Sequence, residues 1–210
     1  MLIAFDFDGT LSDSEMMVLL GQQHGVAEEI AEITERAMND EISYAKSLHE
    51  LANMLFRLGD ADAQQAFNTV SLRPGAATLI DNLRGVGHHV AILTGGFDRG
   101  VTAALDAADV AVDTIVANHL ISRDGHLTGR AEGPLIEGTK DDALEELATE
   151  LGVEMGNTIA IGDGANDLPM LEVAGLAVGY QPKPAVEKHC SVVVSSMAEL
   201  GELFESKDVL

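Results

Sequence analysis

Three short and almost entirely apolar runs constrain the fold of this chain more than any other feature. Residues 2–5, 90–93 and 158–161 are too short for buried helices and too apolar for strands with one face in water. Strands of a parallel sheet that helices cover on both faces have this composition. Stretches of helical periodicity lie between the runs, so the sequence predicts an α/β fold with a mostly parallel sheet.

One long segment interrupts this alternation of strand and helix. Apolar side chains recur at helical spacing within residues 14–72, and no strand pattern occurs in this segment. We therefore expect residues 14–72 to form a small helical cap inserted after the first strand. Residues 1–13 and 73–210 are expected to form a Rossmann-like core, to which the chain returns at Arg73-Pro74-Gly75.

The same periodicities predict the remaining elements of the core. A hairpin is expected around Asp124-Gly125, a dipeptide that favours a tight turn between strands. The other predicted helices are 76–84, 98–107, 141–151, 168–174 and a terminal helix. The other predicted strands are 114–117, 176–178 and 191–194.

The charge balance excludes two classes of partner. The chain has 35 acidic and 12 basic residues, for a net charge of −23. No basic patch for nucleic acid or for an anionic membrane can be assembled from so few cations. Two accounts of the acidic excess remain open, an acidic mesophilic enzyme and a surface adapted to a salt-rich cytoplasm; we favour the second.

Other features of the composition indicate a cytoplasmic, globular protein. Hydrophobic residues make up 46% of the chain, which excludes a disordered polymer. No apolar run approaches the ~18 residues of a membrane span, and no signal-like segment precedes the first strand. Cys190 is the only cysteine, so no intrachain disulfide is expected.

An acid pair directly follows the first apolar run. Asp6 and Asp8 are two residues apart, a spacing that puts both carboxylates on one side of an extended chain. One of them can attack phosphorus, and the other can protonate the leaving oxygen and later activate water. Attack on a phosphate dianion requires charge neutralisation, which Mg²⁺ supplies. Asp163 and Asp167, after the third run, offer further oxygen ligands.

Two further motifs suit the binding of phosphate oxygens. Thr94-Gly95-Gly96, after the second run, offers a hydroxyl and unobstructed backbone N–H groups at the start of a predicted helix. Lys140 offers a point positive charge in a chain that has five lysines. Because ligands bind beyond the carboxyl ends of parallel strands, all these residues can meet in one crevice.

Each motif also has a simpler interpretation. A calcium loop that opens at Asp6 is rejected, because its twelfth position is Met17 instead of Glu. Gly162–Asp167 could be an ordinary strand–helix turn with an N-cap, Thr94–Gly96 a plain turn, and Lys140 a solvated helix residue. The functional interpretation depends on the combination of the motifs, in this order and on these elements.

The combination resembles the haloacid dehalogenase superfamily of phosphotransferases over nearly the whole chain. Asp6-Phe7-Asp8-Gly9-Thr10-Leu11 is similar to its first motif, Thr94 to its second, Lys140 to its third, and Gly162-Asp163 with Asp167 to its fourth. The resemblance implies that Asp6 is a nucleophile that forms an aspartyl-phosphate. It implies that Asp8 is the general acid and base and binds Mg²⁺ through its backbone carbonyl. Asp6 and Asp163 would supply carboxylate ligands to the metal, and Asp167 would lie next to them in the metal site.

Within that superfamily the chain is most similar to the phosphoserine phosphatase family. Residues 33–38, Tyr44 and Ser47-Leu48 resemble the cap of that family, and 94–98, 124–129 and 183–184 resemble segments of its core. By this likeness Glu15 binds the substrate ammonium, and Tyr44, Gly95, Gly96 and Asn166 complete the substrate pocket. The implied partner is a small phosphorylated metabolite, O-phosphoserine, which is hydrolysed to serine and phosphate in serine biosynthesis.

One departure from the family pattern concerns the substrate carboxylate. The family has an arginine that grips the carboxylate at the position of Leu51, and Arg36 or Arg57 are the residues that could compensate. A phosphatase or phosphotransferase for another small phosphate ester is therefore the first alternative. A non-catalytic phosphate-binding regulator is the second, although binding alone requires no acid beside a nucleophile. The sequence does not indicate the oligomeric state.

Overall fold

In a computed structural model, which describes residues 1–38 and 41–210, one sheet of seven strands forms the centre of the protein. The strands are β1 (Leu2–Phe5), β2 (His89–Phe97), β3 (Thr114–Arg123), β4 (His126–Glu132), β5 (Thr158–Gly162), β6 (Leu176–Tyr180) and β7 (Val192–Val194). Their order is β4-β3-β2-β1-β5-β6-β7, and only β3 and β4 are antiparallel. The predicted Rossmann-like parallel sheet is confirmed.

Helices cover both faces of this sheet. They are α1 (Met16–His24), α2 (Ala27–Met38), α3 (Tyr44–Met54), α4 (Asp60–Phe67), α5 (Ala76–Gly85), α6 (Asp98–Ala107), α7 (Lys140–Leu151), α8 (Leu168–Val173), α9 (Pro184–Glu187) and α10 (Met197–Ser206). Within the described helices, none combines the length and the apolar composition that a bilayer span requires.

Alternate residues of the central strand build two separate cores. Ile3 and Phe5 join the larger apolar cluster, which includes side chains of α1, α3 and α5. Leu2 and Ala4 join a smaller cluster with side chains of α7 and α8. All four side chains are fully buried, as the unbroken apolar run predicts.

The predicted helical segment corresponds to α1–α4, which follow β1 and precede α5. Its apolar side chains, such as Leu48, Leu55 and Phe67, are buried in the larger cluster. The division into a core of residues 1–13 and 73–210 and a cap of residues 14–72 remains a prediction.

Two strands are longer than the sequence predicts. β2 continues from Leu93 through the Thr94-Gly95-Gly96 motif to Phe97, with a shift of pairing register against β3 between Leu93 and Phe97. The motif therefore lies in an irregular part of the strand instead of a turn after it. β3 continues to Arg123 because its second half forms the expected hairpin with β4, where exposed polar side chains conceal the strand pattern.

An arginine of the core connects α4 to the sheet. Arg99 Nη1 donates to Asp60 Oδ1 at 2.7 Å, and Arg99 Nη2 donates to Gln64 Oε1 at 2.8 Å. Ser122 Oγ, in β3, donates to the same oxygen of Asp60 at 2.7 Å. The backbone N–H of Asp60 donates to the carbonyl of Gly125 in the hairpin turn. The first turn of α4 is thus fixed to two parts of the core.

Candidate active site

The carboxyl ends of β1, β2 and β5 meet at the centre of the sheet. β1 lies between β2 and β5, so the helices that follow β2 and β5 lead away in opposite directions along the sheet. Such a switch point leaves a crevice beyond the strand ends. Asp6 follows β1, Thr94 lies in β2, Asp163 follows β5, and Lys140 is the first residue of α7. These residues from four motifs lie in one site.

Lys140 is buried between two carboxylates. Its Nζ lies 2.5 Å from Asp6 Oδ1 and 2.5 Å from Asp167 Oδ1, and its side chain is 4% exposed. Burial alone would lower the pKa of Lys140, but the charges of Asp167 and Asp6 outweigh that effect and raise it. The interpretation of Lys140 as a solvated helix residue is wrong.

Asp167 organises the loop after β5. Its Oδ2 accepts the backbone N–H groups of Asp163 and Gly164, both at 2.9 Å, while its Oδ1 accepts from Lys140. Both oxygens of Asp167 therefore carry hydrogen bonds within the protein. The side chain is fully buried and fixes the backbone of Asp163.

The two acids of the first motif are electrostatically different from free aspartates. Burial, reinforced by the charge of Asp167 and opposed by Lys140, raises the pKa of Asp6 to about 7. Burial, then the charges of Glu15 and Asp6, raise the pKa of Asp8 well above its usual value. Asp8 Oδ1 is buried and has no hydrogen-bond partner among the described residues. Asp8 therefore favours the protonated form that a general acid requires.

The Thr94–Gly96 segment approaches the acid pair closely. Thr94 is 1% exposed, and its Oγ1 accepts the N–H of Gly96 at 3.0 Å, a donor that the sequence predicted to be available for phosphate. A Cβ atom on Gly96 would lie 2.7 Å from Asp8 Oδ2, so a side chain there would displace the carboxylate. The glycine is required at this position by the close approach of backbone and acid.

A second glycine lies between the first and fourth motifs. Gly9 has a φ of +86°, and a Cβ there would lie 2.7 Å from Asp163 Oδ1. Arg73 holds the carbonyls of this turn: its Nη2 donates to Gly9 O and its Nε to Thr10 O, both at 3.0 Å. Sequence reasoning treated Arg73 only as a boundary marker, although a buried turn with unpaired carbonyls requires donors of this kind.

Asn118 is a site-supporting residue that sequence reasoning missed. It is fully buried in β3, where its Nδ2 donates to the carbonyl of Gly95 and its Oδ1 accepts the N–H of Leu135, both at 3.0 Å. It thereby connects the Thr94–Gly96 segment to the loop that leads to Lys140. An amide within a largely apolar strand segment was the available signal, because a buried amide requires partners.

Three carboxylates of the site suit a metal ion. Oxygens of Asp6, Asp163 and Asp167 lie within 4.8 Å of one another. Hard oxygen donors of this kind fit Mg²⁺. Since both oxygens of Asp167 already accept hydrogen bonds, the carboxylates of Asp6 and Asp163 are more available as metal ligands.

The residues predicted to bind substrate surround this centre. The Tyr44 hydroxyl donates to Gly95 O at 3.1 Å although the residue is 42% exposed, and desolvation of the hydroxyl, with the site carboxylates, raises the pKa of Tyr44 to about 12 despite the charge of Lys140. Glu15 precedes α1, and burial raises its pKa while Lys183 opposes that shift. Asn166 is exposed in a single helical turn after Gly164.

Among the described residues, no ion pair or side-chain hydrogen bond joins either predicted arginine to this site. Arg36 Nη1 forms an ion pair with Glu50 Oε2 at 3.5 Å. Arg57 is exposed beyond the end of α3, a helix that extends about 15 Å from Tyr44 at the site. Leu51, one turn beyond Ser47-Leu48, is buried in the larger core.

The sheet topology and the buried lysine between carboxylates define a Rossmann-like α/β protein with an aspartate at the end of its first strand. Comparison with family models agrees, since the model of the haloacid dehalogenase-like hydrolases matches residues 3–172. The chain belongs to this family, and the predicted resemblance is confirmed.

Individual relatives narrow the likeness further. A phosphoserine phosphatase of Halobacterium salinarum is 50% identical over 208 residues, which cover 99% of both chains. One of Methanocaldococcus jannaschii is 34% identical over 92% of this chain and 91% of its own. A solved phospho-aspartyl intermediate analogue of phosphoserine phosphatase superposes with a TM-score of 0.88 at 33% identity, over 96% of this chain and 97% of that one. A substrate-bound phosphoserine phosphatase gives the same TM-score at 32% identity and the same coverage.

Proposed function

We propose that this protein hydrolyses O-phospho-L-serine to L-serine and inorganic phosphate through a phosphorylated Asp6. The near full-length likeness to a phosphoserine phosphatase, at 50% identity, carries the choice of substrate. Two observations support the chemistry. Lys140 contacts Asp6 in a buried position, and the pKa of Asp8, two residues further on, is raised. The protein would belong to serine biosynthesis.

In the first half of the reaction, Asp6 attacks the phosphorus atom of the ester. A bond forms between an oxygen of Asp6 and phosphorus while the bond to the ester oxygen breaks. Asp8 gives its proton to the departing oxygen, which leaves as the serine hydroxyl. The cationic Lys140 holds Asp6 in position and favours the ionised carboxylate that attack requires.

In the second half, water releases phosphate from Asp6. Asp8, now ionised, takes a proton from water, whose oxygen bonds to phosphorus as the bond to Asp6 breaks. Asp8 Oδ1, which is buried and has no hydrogen-bond partner among the described residues, supports a role of this carboxyl group in both proton transfers. The hydroxyl of Thr94 and the backbone N–H of Gly95 would bind oxygens of the phosphoryl group, while the N–H of Gly96 holds Thr94 Oγ1 in place.

Mg²⁺ is the cofactor that the donor set favours. Asp6 and Asp163 would hold it with side-chain oxygens and Asp8 with its carbonyl, while Asp167 fixes Asp163 and Lys140. When bound, the ion supplies positive charge that reduces repulsion between the site carboxylates and the phosphate dianion.

The excess of acidic residues supports a cytoplasmic setting rich in salt. The net charge of −23 on 210 residues generates self-repulsion that salt would screen. We include this setting in the proposal, together with a small phosphorylated metabolite as the partner.

A substrate panel tests the proposal. We would measure kcat/KM for O-phospho-L-serine, O-phosphoethanolamine and an aryl phosphate, each with Mg²⁺ and with excess EDTA after dialysis. O-phospho-L-serine is expected to be the best substrate and EDTA to abolish turnover. A preference for O-phosphoethanolamine would contradict the substrate and leave the phosphatase chemistry intact. Full activity in EDTA would contradict the role of the metal, and no turnover of any ester would favour a phosphate-binding regulator.

A further inference from the structure

The candidate site contains a second lysine that the proposed mechanism does not use. Lys183 precedes α9, and its Nζ lies 3.3 Å from Asp163 Oδ2. Its backbone N–H donates to the carbonyl of Asp163 at 2.9 Å, which fixes this residue beside the loop after β5. The Lys183 side chain is 48% exposed, whereas that of Lys140 is 4% exposed. Lys183 is therefore a cation at the mouth of the site.

Other arginines among the described residues are already engaged. Arg73 donates to Gly9 O and Thr10 O, and its guanidinium lies 5.1 Å from the centre of the Tyr180 ring. Arg99 is bound to Asp60 and Gln64, and Arg36 is paired with Glu50. Lys140 and Lys183 are the lysines whose charges lower the pKa of the described site carboxyls. Of these two, only Lys183 is accessible to a ligand.

Lys183 lies within electrostatic range of a second carboxyl group, that of Glu15. Glu15 precedes α1, and the ammonium of Lys183 opposes the effect of burial on the pKa of Glu15. Asp163, whose Oδ2 lies 3.3 Å from Lys183 Nζ, influences Glu15 as well, so the three charged groups are near enough to interact. An α-amino acid carries an ammonium and a carboxylate on one carbon atom, so its recognition requires an anion and a cation side by side.

We propose that Lys183 binds the carboxylate of the amino-acid group of the substrate, while Glu15 binds its ammonium. The proposal rests on the proposed function, since only an ester with a carboxylate requires this cation. An ammonium group has three N–H donors, so Lys183 can keep its contact with Asp163 and still donate to the substrate. Lys183 would supply the positive charge that the apolar, buried Leu51 does not.

The selectivity between two esters tests this assignment. O-phospho-L-serine and O-phosphoethanolamine differ only in the carboxylate, and we would measure kcat/KM for both in wild type, Lys183→Met and Lys183→Arg. Lys183→Met is expected to reduce the ratio of the two values, O-phospho-L-serine over O-phosphoethanolamine, by about 10- to 100-fold, as expected for the loss of a charged hydrogen bond. Lys183→Arg is expected to restore most of the ratio, because it retains the charge. Lys188→Met, an exposed lysine just after α9, is the matched control and should leave the ratio unchanged.

Product binding provides a second measurement that does not depend on turnover of the ester group. The inhibition constant of L-serine is expected to rise in Lys183→Met, while that of ethanolamine changes little. Titration calorimetry with Mg²⁺ would show whether the variant also alters the metal site through Asp163.

The possible failures are distinguishable. An equal loss for both esters, together with weaker Mg²⁺ binding, would mean that Lys183 acts only through Asp163 and would overturn the assignment. An unchanged ratio would overturn it as well. If wild type itself prefers O-phosphoethanolamine, the proposed substrate fails and the role of Lys183 fails with it.

Discussion

Replacement of Asn118 by leucine should destabilise the protein more than the loss of one hydrogen bond would. The amide of Asn118 bonds to Gly95 O and to the N–H of Leu135, and the side chain is fully buried. Leucine has the same number of side-chain heavy atoms and the same branching, but no polar atoms. Gly95 O keeps the hydroxyl of Tyr44 as a donor, whereas the N–H of the buried Leu135 loses its side-chain partner.

The magnitude follows from these two contacts. The lost bond at Gly95 corresponds to about 1 kcal/mol, and the stranded N–H of Leu135 to about 1–3 kcal/mol. The free energy of unfolding should therefore fall by about 2–4 kcal/mol. For a chain of this length each kcal/mol lowers the melting temperature by about 2–4 °C, so we expect a fall of about 4–16 °C.

Differential scanning calorimetry and initial-rate assays would test this expectation. Asn82→Leu, on the exposed face of α5, is the matched control and should melt within about 2 °C of wild type. The kcat of Asn118→Leu should fall as well, because the segments that carry Gly95 and Lys140 lose their connection. A melting temperature of Asn118→Leu equal to that of Asn82→Leu would refute the reasoning.

Three further outcomes are expected. Asp6→Asn should lower the rate of O-phospho-L-serine hydrolysis by several orders of magnitude, because an amide cannot attack phosphorus, while circular dichroism shows an intact fold. Near-normal turnover would exclude the covalent mechanism. The melting temperature of the wild-type protein should rise from low to molar KCl, because salt screens the net charge of −23; a flat or falling curve would exclude adaptation to salt. Hydrogen bonds from Ser122 and Arg99 lower the pKa of Asp60, so its contribution to stability is present above the unfolded pKa and is lost as the pH falls through the lower folded value. Asp60→Asn should therefore destabilise the protein at pH 7 by less than about 1 kcal/mol, since the side chain is 43% exposed. In thermal melts at acid pH the variant and the wild type should be equally stable. A difference in stability that persists there would contradict the role given to the Asp60 carboxylate.

The sequence predicted the parts of the fold that have strong local signals. The fully apolar β1 and the Asp124-Gly125 turn each have a pattern with one main structural meaning. The irregular end of β2 was not predictable, because its glycines resemble a turn and its register depends on the distant strand β3. The predicted end of β3 was wrong for a related reason, since the hairpin half of that strand is polar.

The same distinction applies to the site. Asp6, Lys140 and Asp163 could be predicted because they follow apolar runs or begin a helix. Asn118 and Arg73 could not, because their roles lie in contacts with backbone carbonyls of residues far away in the sequence. The contact of Lys183 with Asp163 could not be predicted either, because it depends on the folded arrangement of the loops after β5 and β6.

The central position of β1 has a consequence for the synthesis of the protein. β1 is made before both of its partner strands, because Leu2 pairs with His89 on one side and with Thr158 on the other. At about 5–20 residues per second, a ribosome takes roughly 8–30 s to reach the second partner. During that time the four apolar residues of β1 lack one wall of the sheet that buries them. Parallel pairing across such a separation is slow, so the nascent chain passes through a state in which this fully apolar strand depends on chaperones or on the early helices for cover.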